Sequence, residues 1–192
     1  MQNKGFLKTL VGTWNTKTIV GVAIGAALFG VLMNYGSIRV FTNTSLTTAM
    51  LVPVIVGALF GPLPAALAAG LGNVIADLIG GWGFWFDWSV GNAFLGLCVG
   101  ALPFYGAKIE EGIFEVKHMV IYVVMAIIGN ALAFGVVTPI FTSIFYGGDL
   151  EITFVQSLFG GVANCVVLII MGLPLLIALA KRNKRSSNLS EE

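Results

Sequence analysis

Long apolar stretches alternate with short polar segments along the chain, and this pattern indicates membrane-spanning helices. A transmembrane helix needs about 20 mostly apolar residues, so charges, prolines and polar clusters mark the ends of the spans. Six spans are predicted, at about 18–36, 46–61, 62–80, 88–107, 118–138 and 153–180. The last is longer than a bilayer requires, so it is predicted to tilt, or to bend where Pro174 removes a backbone donor. The pattern predicts an all-α integral membrane protein, a six-helix bundle.

Composition supports a membrane protein and excludes a soluble globule. Hydrophobic residues make up 57% and charged residues 10% of the chain, whereas about 25% charged is usual for soluble domains. The net charge of +1 does not indicate a nucleic-acid partner, because the basic residues flank apolar spans and form no patch. The predicted organisation is a transmembrane domain, 18–180, between cytoplasmic segments 1–17 and 181–192.

Lysine and arginine predict the orientation. Six spans put both termini, the 61–64 turn and the 108–117 loop on one side of the bilayer. That side holds Lys4, Lys8, Lys17, Lys108, Lys117, Lys181, Arg182, Lys184 and Arg185, and only Arg39 lies on the other. By the positive-inside rule both termini are cytoplasmic. The outer side carries Asp77, Asp87, Asp149 and Glu151.

The segment 72–92 is the candidate for chemistry. It places the polar residues Asn73, Asp77, Asp87 and Asn92 beside Trp82, Trp85 and Trp88. Carboxylates at the edge of an apolar span are costly unless they are paired, hydrated or bound to a ligand. Aromatic faces can stack on a flat heterocycle while polar groups orient it. The segment predicts one wall of an outward-facing small-molecule site. An interfacial aromatic belt with two solvated aspartates is the alternative.

The predicted ligand contacts extend to other spans. Gln156 lies near the outer end of the sixth span, and Asn34 or Tyr35 would close the side toward the first helix. The full predicted set is Asp77, Trp82, Trp85, Trp88, Asn92 and Gln156, with Asn34 or Tyr35. Two segments are candidates for a cover: 39–48, which alternatively caps the second helix, and 139–152. Such a site suits a flat, neutral or weakly basic heteroaromatic ring that bears hydroxyl groups.

Nothing in the sequence indicates an enzyme, a cofactor or a metal site. The chain has no Walker lysine motif, no HExxH and no Ser/His/Asp arrangement. His118 is predicted to be a solvated interfacial residue. The two cysteines, Cys98 and Cys165, are predicted to be buried thiols without metal-ligand spacing.

The first span carries small residues at four-residue spacing, including Gly21 with Gly25 and Ala23 with Ala27. Residues four apart share a helix face, and small ones allow another helix to approach closely. The stripe predicts helix docking, either to a partner or within this chain.

These features together resemble the substrate-binding S components of energy-coupling factor (ECF) vitamin transporters. AIGAALFGVL, the FGP of Phe60 to Pro62, Gly72 to Asp77 and GGWGFWFDW are similar to the riboflavin-type family, which includes a hydroxymethylpyrimidine/pyridoxine transporter. Asn73 stands where relatives often carry His. The resemblance implies a bundle in the plasma membrane of a bacterial-type cell that binds a vitamin outside and releases it inward, energised by the coupling protein EcfT and two cytoplasmic ATPases. Among the vitamins, pyridoxine and hydroxymethylpyrimidine fit the predicted site better than the larger riboflavin or the negatively charged folate. The resemblance also implies that Ala23 and Ala27 contact EcfT.

Other functions remain open from the sequence. A riboflavin-specific S component differs from the leading interpretation only in its substrate. A structural or assembly membrane protein, whose buried polar residues only join helices, is a second class, and a self-sufficient channel or secondary transporter is a third. A secondary transporter more usually shows inverted repeats with broken midplane helices and paired intramembrane charges. The carboxylates here cluster toward one face, which suits a one-sided binding pocket better.

Overall fold

The computed structural model describes residues 2–41 and 44–189 as a helical bundle with a two-stranded hairpin. The elements are α1 (Gln2–Val11), α2 (Thr16–Tyr35), β1 (Ser37–Phe41), β2 (Thr44–Thr47), α3 (Leu51–Phe60), α4 (Pro62–Gly80), α5 (Phe86–Val99), α6 (Val116–Leu132), α7 (Thr138–Tyr146), α8 (Leu150–Val167) and α9 (Leu173–Leu189). Short 3₁₀ turns (Thr48–Met50, Leu102–Tyr105, Ile109–Glu111) and π-helical turns (Ala133–Val137, Leu168–Gly172) connect some of them.

In the described part, five helices are long and apolar enough to cross a membrane. They are Thr16–Tyr35, Pro62–Gly80, Phe86–Tyr105, Val116–Tyr146 and Leu150–Arg185. The second predicted span corresponds to the shorter apolar helix Thr48–Phe60. The structure therefore confirms a multi-pass helical architecture. The count of six spans and the orientation of the termini remain predictions.

The connection after α2 departs from the all-α prediction, because it forms the antiparallel hairpin β1–β2. Ser37 pairs with Thr47 and Arg39 with Ser45. The hydroxyls of the hairpin cap α2: Ser37 Oγ donates to Met33 O at 2.6 Å, and Thr47 Oγ1 donates to Leu32 O at 3.2 Å. The last carbonyls of a helix lack intrahelical partners. The hairpin therefore supplies them, a role that the sequence did not predict. The predicted cap on the second span is represented by Thr47 Oγ1, which accepts the N–H of Ala49 at 3.2 Å in the 3₁₀ turn that leads into α3.

Prolines account for the two π-helical turns. The N–H of Thr138 bonds to Ala133 O and the N–H of Leu173 bonds to Leu168 O, each one residue before a proline. A proline inside a helix clashes with the carbonyl four residues earlier, and the wider turn accommodates Pro139 and Pro174. The helices continue through both sites. The prediction of a lid loop at 139–152 is therefore wrong, since only residues 147–149 separate α7 from α8.

Glycines bring α2, α4 and α5 close together at the centre of the bundle. A Cβ on Gly72 of α4 would lie 2.5 Å from Cβ of Phe29 in α2, and one on Gly96 of α5 would lie 2.7 Å from Ala65 O in α4. Real Cβ atoms do not approach this closely. Phe29 is fully buried in this contact. The position of α5 against α4 is thus fixed near the start of α4, toward the end of the helix pair opposite the tryptophans.

His118 is buried, contrary to the prediction. It is only 2% exposed, and its Nδ1 accepts the N–H of Glu115 at 3.0 Å at the start of α6. The rings of Phe114 and Tyr105 lie beside it. The imidazole completes a capping box, and this accounts for its burial.

Candidate functional site

A glycine-rich turn joins α4 to α5 and positions the tryptophans. We call residues 81–85 the tryptophan loop. Gly81 has φ of 66° and Gly83 has φ of 85°, a left-handed conformation that side chains rarely adopt. Trp82 N–H donates to Asp77 O at 3.2 Å as α4 ends. The loop reverses the chain, so the end of α4 faces the start of α5.

Four polar side chains meet between these helices; we call Asn73, Asp77, Ser89 and Asn92 the α4–α5 polar cluster. Each is at most 6% exposed. Asn92 Nδ2 donates to Asn73 Oδ1 at 2.9 Å, and Asn73 Nδ2 lies 3.2 Å from Ser89 Oγ and 3.3 Å from Asp77 Oδ2. Buried polar groups are costly unless they are hydrogen-bonded. These bonds therefore tie α4 to α5 directly beneath the tryptophan loop.

Asp77 also holds the loop backbone. Its Oδ2 accepts the N–H of Trp85 at 3.0 Å, at the residue that precedes α5. The Trp85 indole Nε1 donates to Trp82 O at 2.9 Å. The bond from Trp85 N–H to the Asp77 carboxylate is charge-assisted, and such a bond is about twice as strong as one between neutral groups. Asp77 thus orients both tryptophans through the backbone.

The tryptophans present different faces. Trp82 is 53% and Trp85 39% exposed, whereas Trp88 is half-buried with its ring centroid 5.6 Å from that of Phe134. Trp82 and Trp85 therefore offer open aromatic surface, as a stacking site requires. Trp88 packs between α5 and the π-helical turn before α7.

Asp87, in the first turn of α5, forms a second acidic centre. It is fully buried, and its Oδ2 accepts a short hydrogen bond from Thr142 Oγ1 of α7. The hydroxyl of Thr138, one turn earlier on α7, lies over Gly91, where a Cβ would collide with it. Glycine at position 91 thus permits the close approach of α5 and α7. This centre was not among the predicted ligand contacts.

The structure brings together five of the predicted contacts: Asp77, Trp82, Trp85, Trp88 and Asn92. Asn34 lies at the edge of this region, because its Nδ2 donates to Ala76 O at 3.0 Å and its Oδ1 approaches Gly80. Tyr35 is 78% exposed, and no contact among the described residues places it at the site. Whether any of these residues touches a ligand remains a prediction.

Gln156 is exposed and points away from the bundle. The buried face of α8 instead carries Thr153, Ser157 and Gly161, at four-residue spacing. A helix places residues four apart on one face, so this polar and small pattern was the available signal in the sequence. Sequence reasoning did not single out Ser89, Thr138, Thr142, Tyr146 or Ser157. It also did not include Asp87 among the ligand contacts.

Within the described residues, no group of three or more His, Cys, Asp or Glu side chains is arranged to hold a metal ion. Three ion pairs form among these residues, Lys17–Glu110, Lys108–Glu111 and Lys117–Glu115, and none involves Asp77 or Asp87. The carboxylates of the candidate site thus have amide and hydroxyl neighbours rather than cations.

Ala23 and Ala27 lie on the exposed face of α2, while Gly25, Ala26 and Phe29 lie on its buried face. The first pair is exposed and thus open to a partner helix. The second set supplies the internal contacts, among them Gly25, whose Cβ position is 3.2 Å from Ala68 Cβ. The two alternatives for this stripe therefore apply to different faces of one helix.

Comparisons with known proteins assign a family. Residues 13–181 match the family model described as ECF-type riboflavin transporter, S component. A UPF0397 protein of Aliivibrio fischeri (strain MJ11) is 37% identical over 180 residues, which cover 92% of this chain and 97% of the relative. A UPF0397 protein of Vibrio vulnificus (strain YJ016) is 38% identical over 92% of this chain and 98% of its own.

A solved structure has a similar fold. The crystal structure of FolT bound with folic acid superposes with a TM-score of 0.62 and covers 85% of this chain and 94% of FolT. The sequence identity is 18%, so the likeness concerns the fold alone.

Proposed function

Since the chain belongs to the ECF-type riboflavin transporter S component family, we propose that it captures a small heteroaromatic vitamin or vitamin precursor. Membership confirms the resemblance drawn from the sequence. The family is one of transporter substrate-binding components and not of enzymes, and the chain is a multi-pass membrane protein. The proposal concerns the substrate, its site and the partners.

One arrangement carries the proposal. The α4–α5 polar cluster lies directly beneath the partly exposed rings of Trp82 and Trp85, and Asp77 connects the two through Trp85 N–H. A ring stacked on an indole would have amide and carboxylate groups within the same small region to orient its substituents. Pyridoxine and hydroxymethylpyrimidine are the favoured ligands because both are flat, small, and bear hydroxyl or amino donors.

Riboflavin is the first alternative substrate, because the family that matches the chain is described as a riboflavin transporter component. Its larger ring system requires more room. A structural or assembly protein without a ligand is the second alternative. The internal hydrogen bonds of the α4–α5 polar cluster favour it, because amides that satisfy one another join helices without needing a ligand.

Family membership supports a proposal about the partners and about the direction of transport. We propose that the chain works with the transmembrane coupling protein EcfT and two cytoplasmic ATPases, takes substrate from outside and releases it inward. The exposed face of α2 around Ala23 and Ala27 supports the contact with EcfT, because small side chains permit a close helix crossing.

Thermal unfolding of the purified chain with a panel of vitamins tests the function. A ligand that binds only the folded state raises its stability by mass action, by about 2.7 kcal/mol at 100 times its Kd. Pyridoxine, hydroxymethylpyrimidine, riboflavin and folic acid form the panel, and ATP is the negative control. Stabilisation by pyridoxine or hydroxymethylpyrimidine supports the proposal. Stabilisation by riboflavin alone favours the riboflavin-specific alternative. If none of the four vitamins stabilises the chain, the structural alternative is favoured.

A further inference from the structure

Several buried polar atoms on α5, α7 and α8 have no hydrogen-bond partner among the described residues. Asp87 Oδ1, Thr138 Oγ1 and Ser157 Oγ belong to side chains that are 0% exposed, and Asn92 Oδ1 to one that is 2% exposed. A buried group without a partner costs about 1–3 kcal/mol. Asn130 is similarly buried, but the Cys165 thiol faces it. Tyr105, the remaining case, precedes Gly106 at the opposite end of α5.

The unpartnered groups lie on three helices that converge. Thr138 packs over Gly91 and Thr142 bonds to Asp87, which sets α7 against α5. On α8, the Cβ position of Gly161 is 3.3 Å from Phe134 Cβ, and Thr153 Oγ1 is 3.2 Å from that of Gly148. Ser157 lies on the same buried face, one turn from each. We call Asp87, Thr138 and Ser157 the acceptor site.

The chemistry of these atoms is one-sided. A carboxylate oxygen and an amide oxygen only accept hydrogen bonds, and a hydroxyl can accept as well as donate. No lysine, arginine or histidine pairs with Asp87 in the described part of the chain. A ligand that satisfies the group must therefore bring N–H or O–H donors and must not bring a negative charge, since a buried ion needs an opposite or hydrogen-bonded partner.

We propose that the acceptor site, Asp87 with Thr138 and Ser157, determines specificity by binding the donor edge of an amino-substituted or protonated nitrogen heterocycle. The inference rests on the proposed function and narrows its substrate class. The tryptophan loop then stacks on the ring, while Asp87 accepts from its N–H groups.

Titration calorimetry of the full chain with hydroxymethylpyrimidine, which bears an amino group, tests the inference. Asp87→Asn keeps the size of the side chain but replaces an acceptor with a donor, and affinity should fall about 10- to 100-fold, as expected for a charge-assisted bond. Asp149→Asn is the matched control. Asp149 is exposed and caps α8 through Glu151 and Ile152 N–H, a role that Asn fills equally well.

Thr138→Val and Ser157→Ala provide a second measurement in case Asp87→Asn does not fold. Both hydroxyls lack partners, so their removal should leave the melting temperature of the free chain unchanged or higher. Binding of hydroxymethylpyrimidine should nevertheless weaken several-fold. This opposite movement distinguishes a ligand contact from a structural role.

The outcomes separate this inference from the proposed function. If the wild-type chain binds hydroxymethylpyrimidine or pyridoxine and all three variants retain its affinity, the acceptor site is wrong and the function survives. A chain that binds none of the four vitamins removes the function and the inference together.

Discussion

The ring of Tyr146 packs against the indole of Trp85, with the ring centroids 5.0 Å apart. The phenol hydroxyl accepts the N–H of Phe86 at 2.9 Å and donates to Phe84 O at 3.1 Å. One side chain at the end of α7 therefore holds the backbone on both sides of Trp85. Since α7 also supplies Thr138 and Thr142, movement of this helix would affect the tryptophan loop and Asp87 together.

Tyr146→Phe should loosen the tryptophan loop. The change removes both hydrogen bonds but keeps the ring contact, so we expect a loss of about 1–2 kcal/mol in local stability. Hydrogen exchange at the amides of residues 84–86 should accelerate about 5- to 30-fold. Ligand dissociation should accelerate as well, since the loop covers the candidate site.

Tyr105→Phe is the control for this change. The Tyr105 hydroxyl is buried without a hydrogen-bond partner among the described residues, so its removal should not destabilise the protein. Equal exchange rates at residues 84–86 in Tyr146→Phe and Tyr105→Phe would show that Tyr146 does not hold the loop.

Asp77→Ala should weaken ligand binding by about 1.5–3 kcal/mol, the range for a hydrogen bond to a charged group. The structure adds a reason, because Asp77 orients the loop through Trp85 N–H. Titration calorimetry measures the change. An unchanged affinity would leave Asp77 as a helix-joining residue only.

Trp85→Ala should be comparably harmful if its indole stacks on the ligand. Trp14→Ala is a matched control. The two indoles are 39% and 41% exposed, and each donates to the carbonyl three residues earlier at 2.9 Å. Trp14 precedes α2, at the end of the bundle away from the tryptophan loop. Equal losses of affinity in the two variants would indicate a general effect of removing an indole.

Gly91→Ala should destabilise the fold. The new methyl group would collide with Thr138 Oγ1, and overpacking of this kind costs about 1–3 kcal/mol. Gly135→Ala is the control, because no atom lies within 4 Å of its Cβ position and the change raises helix propensity. Thermal unfolding of both variants compares them, and equal melting temperatures would contradict the close contact of α5 and α7.

Sequence reasoning found the parts of this fold that depend on local pattern. The boundaries of α4, Pro62 and Gly80, follow from the proline-rich turn and the glycine pair, and they agree with the predicted 62–80. The 72–92 segment was correctly singled out as a place where polar and aromatic side chains meet. Asp77 and Asn92 belong to the same cluster, joined through Asn73. Their proximity could be predicted because they lie on consecutive helices that a short loop connects.

Contacts between distant segments were not predictable in the same way. The bond between Asp87 and Thr142 joins residues 55 positions apart, and it depends on the register of α5 against α7. That register follows from the π-helical turn before Pro139, whereas the sequence suggested that proline would begin a loop. The position of Gln156 was not predictable for a related reason. Which face of α8 is buried depends on its packing against α7, and that packing leaves Gln156 exposed.

Replacing Ala23 or Ala27 with Trp should reduce uptake while leaving ligand binding intact. Both positions lie on the exposed face of α2, so a large side chain there disturbs a partner rather than the fold of this chain. Copurification with EcfT measures assembly. Leu28→Trp is the control on the same helix, because Leu28 is already large and 50% exposed. Loss of ligand binding with normal assembly would indicate that the stripe serves internal packing.

Cysteine labelling in intact cells tests the predicted orientation, in which the tryptophan loop is outside and both termini are inside. Phe84→Cys and Glu111→Cys suit the experiment because both positions are exposed and lie at opposite ends of α5. Glu111 is preferable to its neighbour Gly112, whose φ of 73° and contact with Lys184 oppose any side chain.

The variants require a background with Cys98 and Cys165 replaced by alanine, since both thiols are free and only partly buried. An impermeant maleimide should label position 84 in intact cells and position 111 only after the membrane is permeabilised. The reverse pattern would invert the bundle and place the candidate site on the cytoplasmic face. An importer could not then use it to capture substrate from outside, so the labelling result also decides whether the proposed direction of transport is tenable.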